Sequence, residues 1–264
     1  MKRVVLLMGG RSVEREVSLV SGRDCAAGLA QAGYQVTTVD VHDDLGVVLK
    51  ALEPKPDLVF NALHGRYGED GIIQGVLDWL GIPYTHSGVL ASALAMDKTL
   101  AKRLFESAGI RCPAGQLVPR GAVQTGDVMA RPYVVKPNNE GSSVGVHIVR
   151  EGDNALPFTG IDWPFGEQVV VEPYIPGREL TVGVMGGRPL AVTELRPRQG
   201  FYDYAAKYTA GRTEHLIPAP VHPAIYQEAL DMALAAHRIL GCRGVSRADF
   251  RYDDTKGEPG PLYV

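Results

Sequence analysis

The sequence predicts an α/β protein that begins with a doubly wound lobe. Short apolar runs alternate with helical patterns over residues 1–95, which is typical of a parallel sheet covered by helices. From Tyr133 onward strand patterns dominate, and turns such as Gly186-Gly187 join them into hairpins. The chain of 264 residues is long enough for more than one hydrophobic core. We therefore expect two smaller α+β lobes after the doubly wound one.

Capping and turn residues bound the elements of the first lobe. Its predicted strands are short apolar runs at Val4–Met8, Thr37–Val41, Leu58–Ala62 and Ile82–Thr85. Ser12 can cap a helix that continues to Ala32, and Asp70 can cap another. A further helix, over Lys98–Ala108, lies beyond a predicted lobe boundary near Met96.

The remaining elements predict a division into residues 1–95, 96–180 and 181–264. The later strands are predicted at Val134–Lys136, Val146–Val149, Gln168–Glu172, Glu179–Val184, Leu190–Leu195 and Val245–Tyr252. A helix with helically spaced apolar residues, from Tyr226 to Leu240, precedes the last strand. The segment 200–211 is rich in tyrosine and lysine and too polar for a core strand, so we interpret it as a mobile cover over a site.

The composition argues against several classes of function. A formal net charge of -3 gives no general attraction to nucleic acid or an anionic membrane. Cys25, Cys112 and Cys242 are odd in number and far apart, which argues against a disulfide framework and a zinc cluster. The chain begins without the apolar region of a signal peptide, and it has no bilayer-spanning apolar stretch. We expect a cytoplasmic protein with no nucleic-acid or membrane partner.

The loop from Lys136 to Gly145 is the most informative motif. An apolar strand ends in the lysine and continues into small and hydroxyl-bearing residues that include Ser142 and Ser143. The lysine supplies a compact positive charge, and Gly141 and Gly145 would let backbone N–H groups approach an anion. Because the lysine precedes the glycines, this is not the common P-loop. The motif predicts a phosphate-binding loop in an enzyme that consumes a nucleotide.

Three other residues are candidate nucleotide contacts. Lys98 lies beside apolar sequence and could join Lys136 in neutralising a triphosphate, although a snorkelling surface lysine explains it equally well. Glu172 and Glu179 flank a turn at the end of a predicted buried strand. There an extended backbone can meet a base edge and a carboxylate can accept hydrogen bonds from ribose hydroxyls.

Arg247 and Asp249 lie two residues apart on one predicted strand, so their side chains share a face. The carboxylate could bind Mg²⁺ that bridges nucleotide phosphates, and the arginine could hold a substrate carboxylate or a developing oxyanion. Taken alone, the pattern favours an ordinary surface ion pair.

Two candidates follow strands of the first lobe. His64 lies in the glycine-rich segment Ala62–Gly71, at the carboxyl end of the sheet, where α/β proteins place ligands. A histidine hydrogen-bonded within a loop is the alternative. Glu14 lies at the start of the first helix, where it could receive a substrate ammonium or interact with the helix dipole.

Taken together, these segments resemble the D-alanine–D-alanine ligases of the ATP-grasp superfamily, from Val4 to Val264. The segments that carry the resemblance are Gly9–Ser18, Ala62–Gly71, Met96–Lys98, Lys136–Gly145, Phe201–Tyr208, and Arg247 with Asp249. The resemblance implies an ATP-grasp fold in which the two α+β lobes clasp ATP. It implies ATP-dependent ligation of two D-alanines through an acyl phosphate, for peptidoglycan precursors. It also implies a homodimer that uses ATP with Mg²⁺, or alternatively Mn²⁺.

The resemblance further implies a role for each candidate residue. The nucleotide contacts are Lys98 and Lys136 at the phosphates, Ser142 and Ser143 in the loop over them, Glu172 and the backbone to Ile175 at adenine, and Glu179 at ribose. The catalytic residues are Glu14 at the first D-alanine's ammonium with His64 nearby, Ser142 and Tyr208 hydrogen-bonded to Glu14, Lys207 at the reacting carboxylate, and Arg247 at the oxyanion. Asp249 is the metal ligand.

The resemblance also gives an expectation about the end of the chain. Family members carry a Glu and an Asn for the metal site on the strand that follows the one holding Asp249, and Pro261–Val264 matches the beginning of that strand. We therefore expect a C-terminally truncated ligase with little or no turnover, although its parent would be active.

Two alternatives remain open. A D-alanine–D-lactate or D-alanine–D-serine ligase would differ mainly in the cover segment, where Lys207 and Tyr208 favour D-alanine. A catalytically silent nucleotide-binding protein is the other.

Overall fold

The computed structural model describes residues 1–153, 163–198, 209 and 211–264. These residues fold as two units, Met1–Ala95 and Met96–Val264. The proposed cover segment, with Lys207 and Tyr208, lies almost entirely outside the described residues. The division into three lobes stays a prediction.

A parallel sheet forms the centre of the first unit. Its elements, in chain order, are β1 (Arg3–Gly9), α1 (Arg15–Gln31), β2 (Gln35–Val41), α2 (Leu45–Ala51), β3 (Leu58–Asn61), α3 (Ile72–Trp79) and α4 (Val89–Met96). The strand order is β2-β1-β3, and both pairings are parallel. The segment predicted as a fourth strand contributes only a single parallel bridge, Tyr84 to Val59. Pro83 shortens it, because proline has no N–H to donate to a ladder.

In the first unit, the buried apolar residues of the sheet are those that the apolar pattern of the sequence predicts. Strand β1 is almost continuously buried, as expected of a parallel strand covered on both faces. Val5, Leu7 and Val59 of the sheet pack with Ile73 and Leu77 of α3. The carboxyl end of β1 leads into the loop that contains Glu14, and the carboxyl end of β3 leads into the loop that contains His64.

Two predicted helix caps are wrong by one or two positions. Residue Glu14, not Ser12, holds the N-cap position of α1, and Gly71, not Asp70, holds that of α3. The Ser12 hydroxyl instead accepts from the Glu14 N–H at 3.2 Å and donates to the His64 carbonyl oxygen at 2.7 Å. Asp70 accepts from the N–H groups of Tyr67 and Ile72, at 2.9 and 3.1 Å. Both side chains fix loop backbone ahead of the helix.

The described part of the second unit contains two antiparallel sheets. Its helices are α5 (Lys98–Ser107), α6 (Arg120–Thr125) and α7 (Pro223–Ile239), with a short 3-10 turn at Asp254–Lys256. Its strands are β4 (Gln116–Pro119), β5 (Tyr133–Pro137), β6 (His147–Val149), β7 (Gln168–Pro173), β8 (Arg178–Met185), β9 (Arg188–Pro197), β10 (Thr213–Leu216), β11 (Val245–Tyr252) and β12 (Leu262–Tyr263). The sheet orders are β4-β7-β5-β6 and β10-β9-β8-β11-β12. The pairing of β12 with β11 confirms the prediction that a strand begins near Pro261.

The two faces of β11 differ as the alternation predicts. Phe250 is buried against Leu180 and Val182 of β8 and against Ala229 and Ala233 of α7. The opposite face carries the charged residues of β11. Among the described residues, no helix is both long enough and apolar enough to cross a membrane.

Candidate nucleotide and substrate site

A cavity of about 310 Å³ in the second unit is lined by residues of both antiparallel sheets. Its lining includes the candidate nucleotide and metal residues Lys98, Lys136, Ser142, Ser143, Glu172, Ile175, Glu179 and Asp249. These residues come from α5, β5 and the loop after it, the end of β7 and the turn after it, β8 and β11. The fold therefore brings together residues as far apart in the chain as Lys98 and Asp249.

Glu172, in the lining of this cavity, bridges two lysines. The Lys136 ammonium donates to Glu172 Oε1, and the Lys102 ammonium donates to Oε2 at 3.0 Å. Burial of Glu172 by itself favours the neutral acid, but the two ammonium groups outweigh it and lower the pKa of Glu172 below its ordinary value of 4.5. The carboxylate is therefore held ionised and in a fixed orientation.

Lys98 ties the start of α5 to the loop after β5. Its ammonium donates to the carbonyl oxygens of Glu140 and Asn138, and its backbone N–H donates to Asn138 O at 3.1 Å. Burial, reinforced by the charge of Lys136, lowers the pKa of Lys98 to about 8. This lysine is not a solvated surface side chain, so the snorkelling alternative is wrong for it.

The predicted phosphate-binding loop, Lys136 to Gly145, has an unusual backbone conformation at two serines. Ser142 and Ser143 both have positive φ, at 50° and 59°, and residues with a Cβ adopt that region at a cost. Gly145 does not line the cavity; a Cβ there would lie 3.1 Å from both Trp163 and Phe165. Packing behind the loop therefore requires a glycine here, and the expectation that its N–H can approach an anion stays a prediction.

Arg247 and Asp249 form an ion pair on the exposed face of β11. Arg247 Nε donates to Asp249 Oδ1 and Nη2 donates to Oδ2, both at 2.9 Å. Thr181, directly opposite on β8, also donates to Asp249 Oδ1, at 2.7 Å. The ion pair that the sequence pattern favoured is therefore formed. Asp249 also lines the cavity.

Sequence reasoning missed Lys102 and Arg251. Arg251 lines the cavity and lies on the same face of β11 as Arg247 and Asp249, so the alternation of that strand could have identified it. Lys102 lies one helical turn after Lys98 on α5, and that spacing was a signal for it.

Glu14 is buried in the first unit, with only 2% of its surface exposed. Its backbone is fixed by Ser12, and Gly65 passes so close that a Cβ there would lie 2.6 Å from Glu14 Oε2. Gly65 also has a φ of 66°, which an L-residue rarely adopts. The glycine-rich loop after β3 therefore packs directly against the carboxylate, as close backbone approach predicts.

His64 is held by the loop that contains it. Its Nδ1 lies 3.1 Å from the Ala62 carbonyl oxygen, and its Nε2 lies 3.4 Å from the Ser21 hydroxyl. Its own carbonyl oxygen accepts from Ser12. The structure thus joins the loops that carry Glu14 and His64 through Ser12. The remaining candidates, Lys207 and Tyr208, lie outside the described residues.

Two family models match the chain. One, described as D-ala D-ala ligase C-terminus, matches residues 119–259, and one described as D-ala D-ala ligase N-terminus matches residues 45–87. A D-alanine--D-alanine ligase of Granulibacter bethesdensis is 58% identical over 263 residues, which cover 100% of this chain and 86% of that protein. The corresponding ligase of Acidiphilium cryptum is 59% identical over 254 residues, covering 96% of this chain and 84% of its own length.

Solved structures agree with these matches. The crystal structure of a D-alanine--D-alanine ligase from Bacillus anthracis superposes with a TM-score of 0.82 at 32% identity, covering 100% of this chain and 85% of that one. A crystal structure of a D-alanine--D-alanine ligase from Bacillus anthracis complexed with ATP superposes with a TM-score of 0.80 at 28% identity, covering 100% of this chain and 84% of that one. The fold is that of the ATP-grasp ligases, and the chain belongs to the D-alanine–D-alanine ligase family.

Proposed function

We propose that this protein joins two D-alanine molecules in an ATP-dependent reaction that yields D-alanyl-D-alanine, ADP and phosphate. The observation that carries the proposal is the cavity of the second unit, which collects the cationic and acidic residues that a nucleotide requires. Family membership supports the same substrates. The product would be a peptidoglycan precursor, and we propose that the protein acts as a homodimer of three-lobed chains.

One end of the cavity would hold the base and ribose of the nucleotide, and the other end would hold its phosphates. The segment from Glu172 to Ile175 would bind adenine, and the Glu179 carboxylate would accept hydrogen bonds from ribose. The ammonium groups of Lys98 and Lys136 would offset the charge of the phosphates. Ser142 and Ser143 would lie over these phosphates.

Binding of phosphates requires a change of partner at Lys136. Its ammonium now pairs with Glu172 Oε1, while Lys102 holds Oε2. A phosphate that draws Lys136 away would leave Glu172 with Lys102 as a counter-ion. The buried carboxylate would then remain paired, which avoids the large cost of an isolated buried charge.

The donor set fits a magnesium ion that arrives with the nucleotide. The described part of the chain contains no group of three or more His, Cys, Asp or Glu residues able to hold a metal ion. Mg²⁺ is commonly bound by one or two carboxylates with substrate phosphates and water, and Asp249 supplies such a carboxylate in the cavity. When bound, the ion would neutralise charge on the phosphate oxygens.

The first unit would bind the first D-alanine. The buried carboxylate of Glu14 would receive its ammonium, with His64 nearby in the adjoining loop. From the sequence we propose that Ser142 and Tyr208 hydrogen-bond to Glu14 and that Lys207 assists the reacting carboxylate.

The reaction would proceed in two steps. A carboxylate oxygen of the first D-alanine attacks the γ-phosphorus of ATP, and the bond to the bridging oxygen breaks to release ADP. The amine of the second D-alanine then attacks the acyl phosphate carbon, loses a proton, and phosphate leaves. Arg247 would stabilise the oxyanion of this second step, which requires that it release Asp249.

The test is the dependence of ATP turnover on D-alanine. Purified protein is incubated with ATP, Mg²⁺ and either D-alanine or L-alanine; ADP, phosphate and dipeptide are quantified, and thermal melting is followed with each ligand. Because we expect little turnover from this chain, any dipeptide that forms should require D-alanine, and the melting temperature should rise with D-alanine and ATP. Absence of both a D-alanine-dependent product and D-alanine-dependent stabilisation would contradict the proposal.

A further inference from the structure

Arg251 binds two carbonyl oxygens of the turn that connects β7 to β8, and it also binds Glu179 of β8. Its Nε and Nη2 donate to the Ile175 carbonyl oxygen at 3.1 and 3.0 Å, and Nη2 donates to the Gly177 carbonyl oxygen at 3.0 Å. Its Nη1 pairs with Glu179 Oε2 at 3.2 Å. One side chain therefore fixes both the backbone of this turn and the first acidic residue after it.

The pairing of β8 with β11 places this arginine opposite its partner. Arg251 and Glu179 are directly aligned in the antiparallel ladder, two positions along from the aligned pair Asp249 and Thr181. Aligned residues project from the same face, so the ion pair is a cross-strand contact within the cavity lining. The turn is also pressed against the end of β11, because a Cβ on Gly177 would lie 2.2 Å from the Tyr252 carbonyl oxygen.

The pair is sheltered from solvent. The side chains of Arg251 and Glu179 are 23% and 12% exposed, so water and salt screen their attraction less than that of a surface pair. A planar guanidinium presents its donors to several acceptors in one rigid fork, whereas the three donors of an ammonium rotate freely. Arg251 holds the carboxylate through Oε2, and a carboxylate can accept several hydrogen bonds, so ribose can bind while the ion pair persists.

We propose that Arg251 is a positioning residue that makes the nucleotide site selective for ribose over deoxyribose. It would do so by holding the Glu179 carboxylate at the orientation in which ribose hydroxyls donate to it. This inference rests on the proposed function, which places ribose at Glu179. Replacing a residue that merely stabilised the turn would lower the affinity for all adenine nucleotides equally. Replacing a positioning residue would lower most the affinity for nucleotides that carry both ribose hydroxyls.

Equilibrium binding in the absence of D-alanine tests the proposal. Affinities for ATP, 2′-deoxy-ATP and 3′-deoxy-ATP are measured by calorimetry for the parent and for Arg251→Met, Arg251→Lys and Glu179→Gln. Arg188→Met, an exposed arginine at the start of β9 in the same sheet, is the matched control. One of the two deoxynucleotides lacks the hydroxyl that donates to Glu179. We expect the ratio of the affinity for ATP to the affinity for that deoxynucleotide to fall about tenfold in Arg251→Met, since hydrogen bonds to charged groups contribute on that scale.

Three further comparisons sharpen the result. Arg251→Met combined with Glu179→Gln should show no lower preference than Glu179→Gln alone, because both changes act on one contact. Arg251→Lys should also lose preference for ATP over the deoxynucleotide, since it keeps the positive charge without the planar guanidinium. It tests the proposal if Arg251→Met does not fold. Arg188→Met should keep the parent's preference.

The outcomes separate this inference from the proposed function. If the parent prefers ATP and Arg251→Met weakens all three nucleotides equally, or keeps the parent's preference, the positioning role is overturned and the proposed function stands. If the parent binds none of the nucleotides, both are overturned.

Discussion

Arg247 donates two parallel hydrogen bonds, each 2.9 Å long, to the two carboxylate oxygens of Asp249. The two residues thus neutralise each other, although the proposed reaction needs them separately, one at an oxyanion and one at a metal ion. Their side chains are 65% and 37% exposed. Because an exposed pair contributes only about 0–1 kcal/mol, a polyanionic nucleotide with its cation can separate them at little cost.

Replacement of Asp249 by asparagine should remove the effect of Mg²⁺ on nucleotide affinity. We expect Mg²⁺ to tighten ATP binding by about tenfold or more in the parent, because a carboxylate ligand anchors the ion beside the phosphates. In Asp249→Asn the affinities with and without Mg²⁺ should be nearly equal. Calorimetric titration with ATP checks this, with Asp78→Asn, at an exposed residue of α3, as the control. Retention of the parent's Mg²⁺ effect in Asp249→Asn would rule out its metal role.

ATP affinity should fall above pH 8 because Lys98 loses its charge there. The pKa of Lys98 is lowered to about 8, so below that pH its ammonium attracts phosphate and above it the neutral amine does not. Arginine stays charged throughout this range, so Lys98→Arg serves as the reference. Between pH 7 and 9 the parent should lose up to about tenfold in affinity relative to Lys98→Arg. Parallel pH profiles for the two proteins would show that Lys98 does not contact the nucleotide.

Glu172→Gln should destabilise the protein by about 3 kcal/mol at neutral pH, because it leaves two partly buried ammonium groups without their shared counter-ion. The pKa of Glu172 is lower in the folded chain than its ordinary value of 4.5. Its stabilisation is therefore present above pH 4.5 and is lost as the pH falls through the folded-state pKa. The difference in unfolding free energy between parent and Glu172→Gln should narrow accordingly.

Denaturant unfolding between pH 7 and 3 measures this difference. Glu167→Gln, at an exposed residue just before the same strand, should stay close to the parent at every pH. A Glu172→Gln protein that is as stable as the parent at pH 7 would mean that the two lysines need no carboxylate between them.

Gly65→Ala should weaken D-alanine binding selectively. The new Cβ would lie 2.6 Å from Glu14 Oε2, so the carboxylate must move, and we expect the affinity for D-alanine to fall by about tenfold or more. ATP affinity should stay within about twofold of the parent, as the cavity of the second unit is untouched. Gly33→Ala is the control, since Gly33 also has positive φ, at 86°, but has no atom within 4 Å of the added Cβ.

Both glycine variants carry a backbone strain of about 1–2 kcal/mol. Melting curves in the presence and absence of D-alanine with ATP therefore separate strain from binding. An equal loss of D-alanine response in Gly33→Ala and Gly65→Ala would argue that strain alone is responsible.

Local patterns in the sequence determined most of the fold's elements. The parallel strands of the first unit and the charged and apolar faces of β11 follow from periodicity, because neighbouring residues fix which face a side chain occupies. The site residues were identifiable where a strand end carried a charge, as at Lys136. The helix caps at Ser12 and Asp70 could not be assigned correctly, since each hydroxyl or carboxylate had several backbone donors within reach.

The sequence by itself determined which elements form and which residues bear charge beside them. Only the tertiary structure decided which distant charges meet: that Glu172 lies between Lys136 and Lys102, and that Arg251 holds Glu179. The reason is that electrostatic energy depends on distance in space, and strand pairing and helix packing set those distances between residues far apart in the chain.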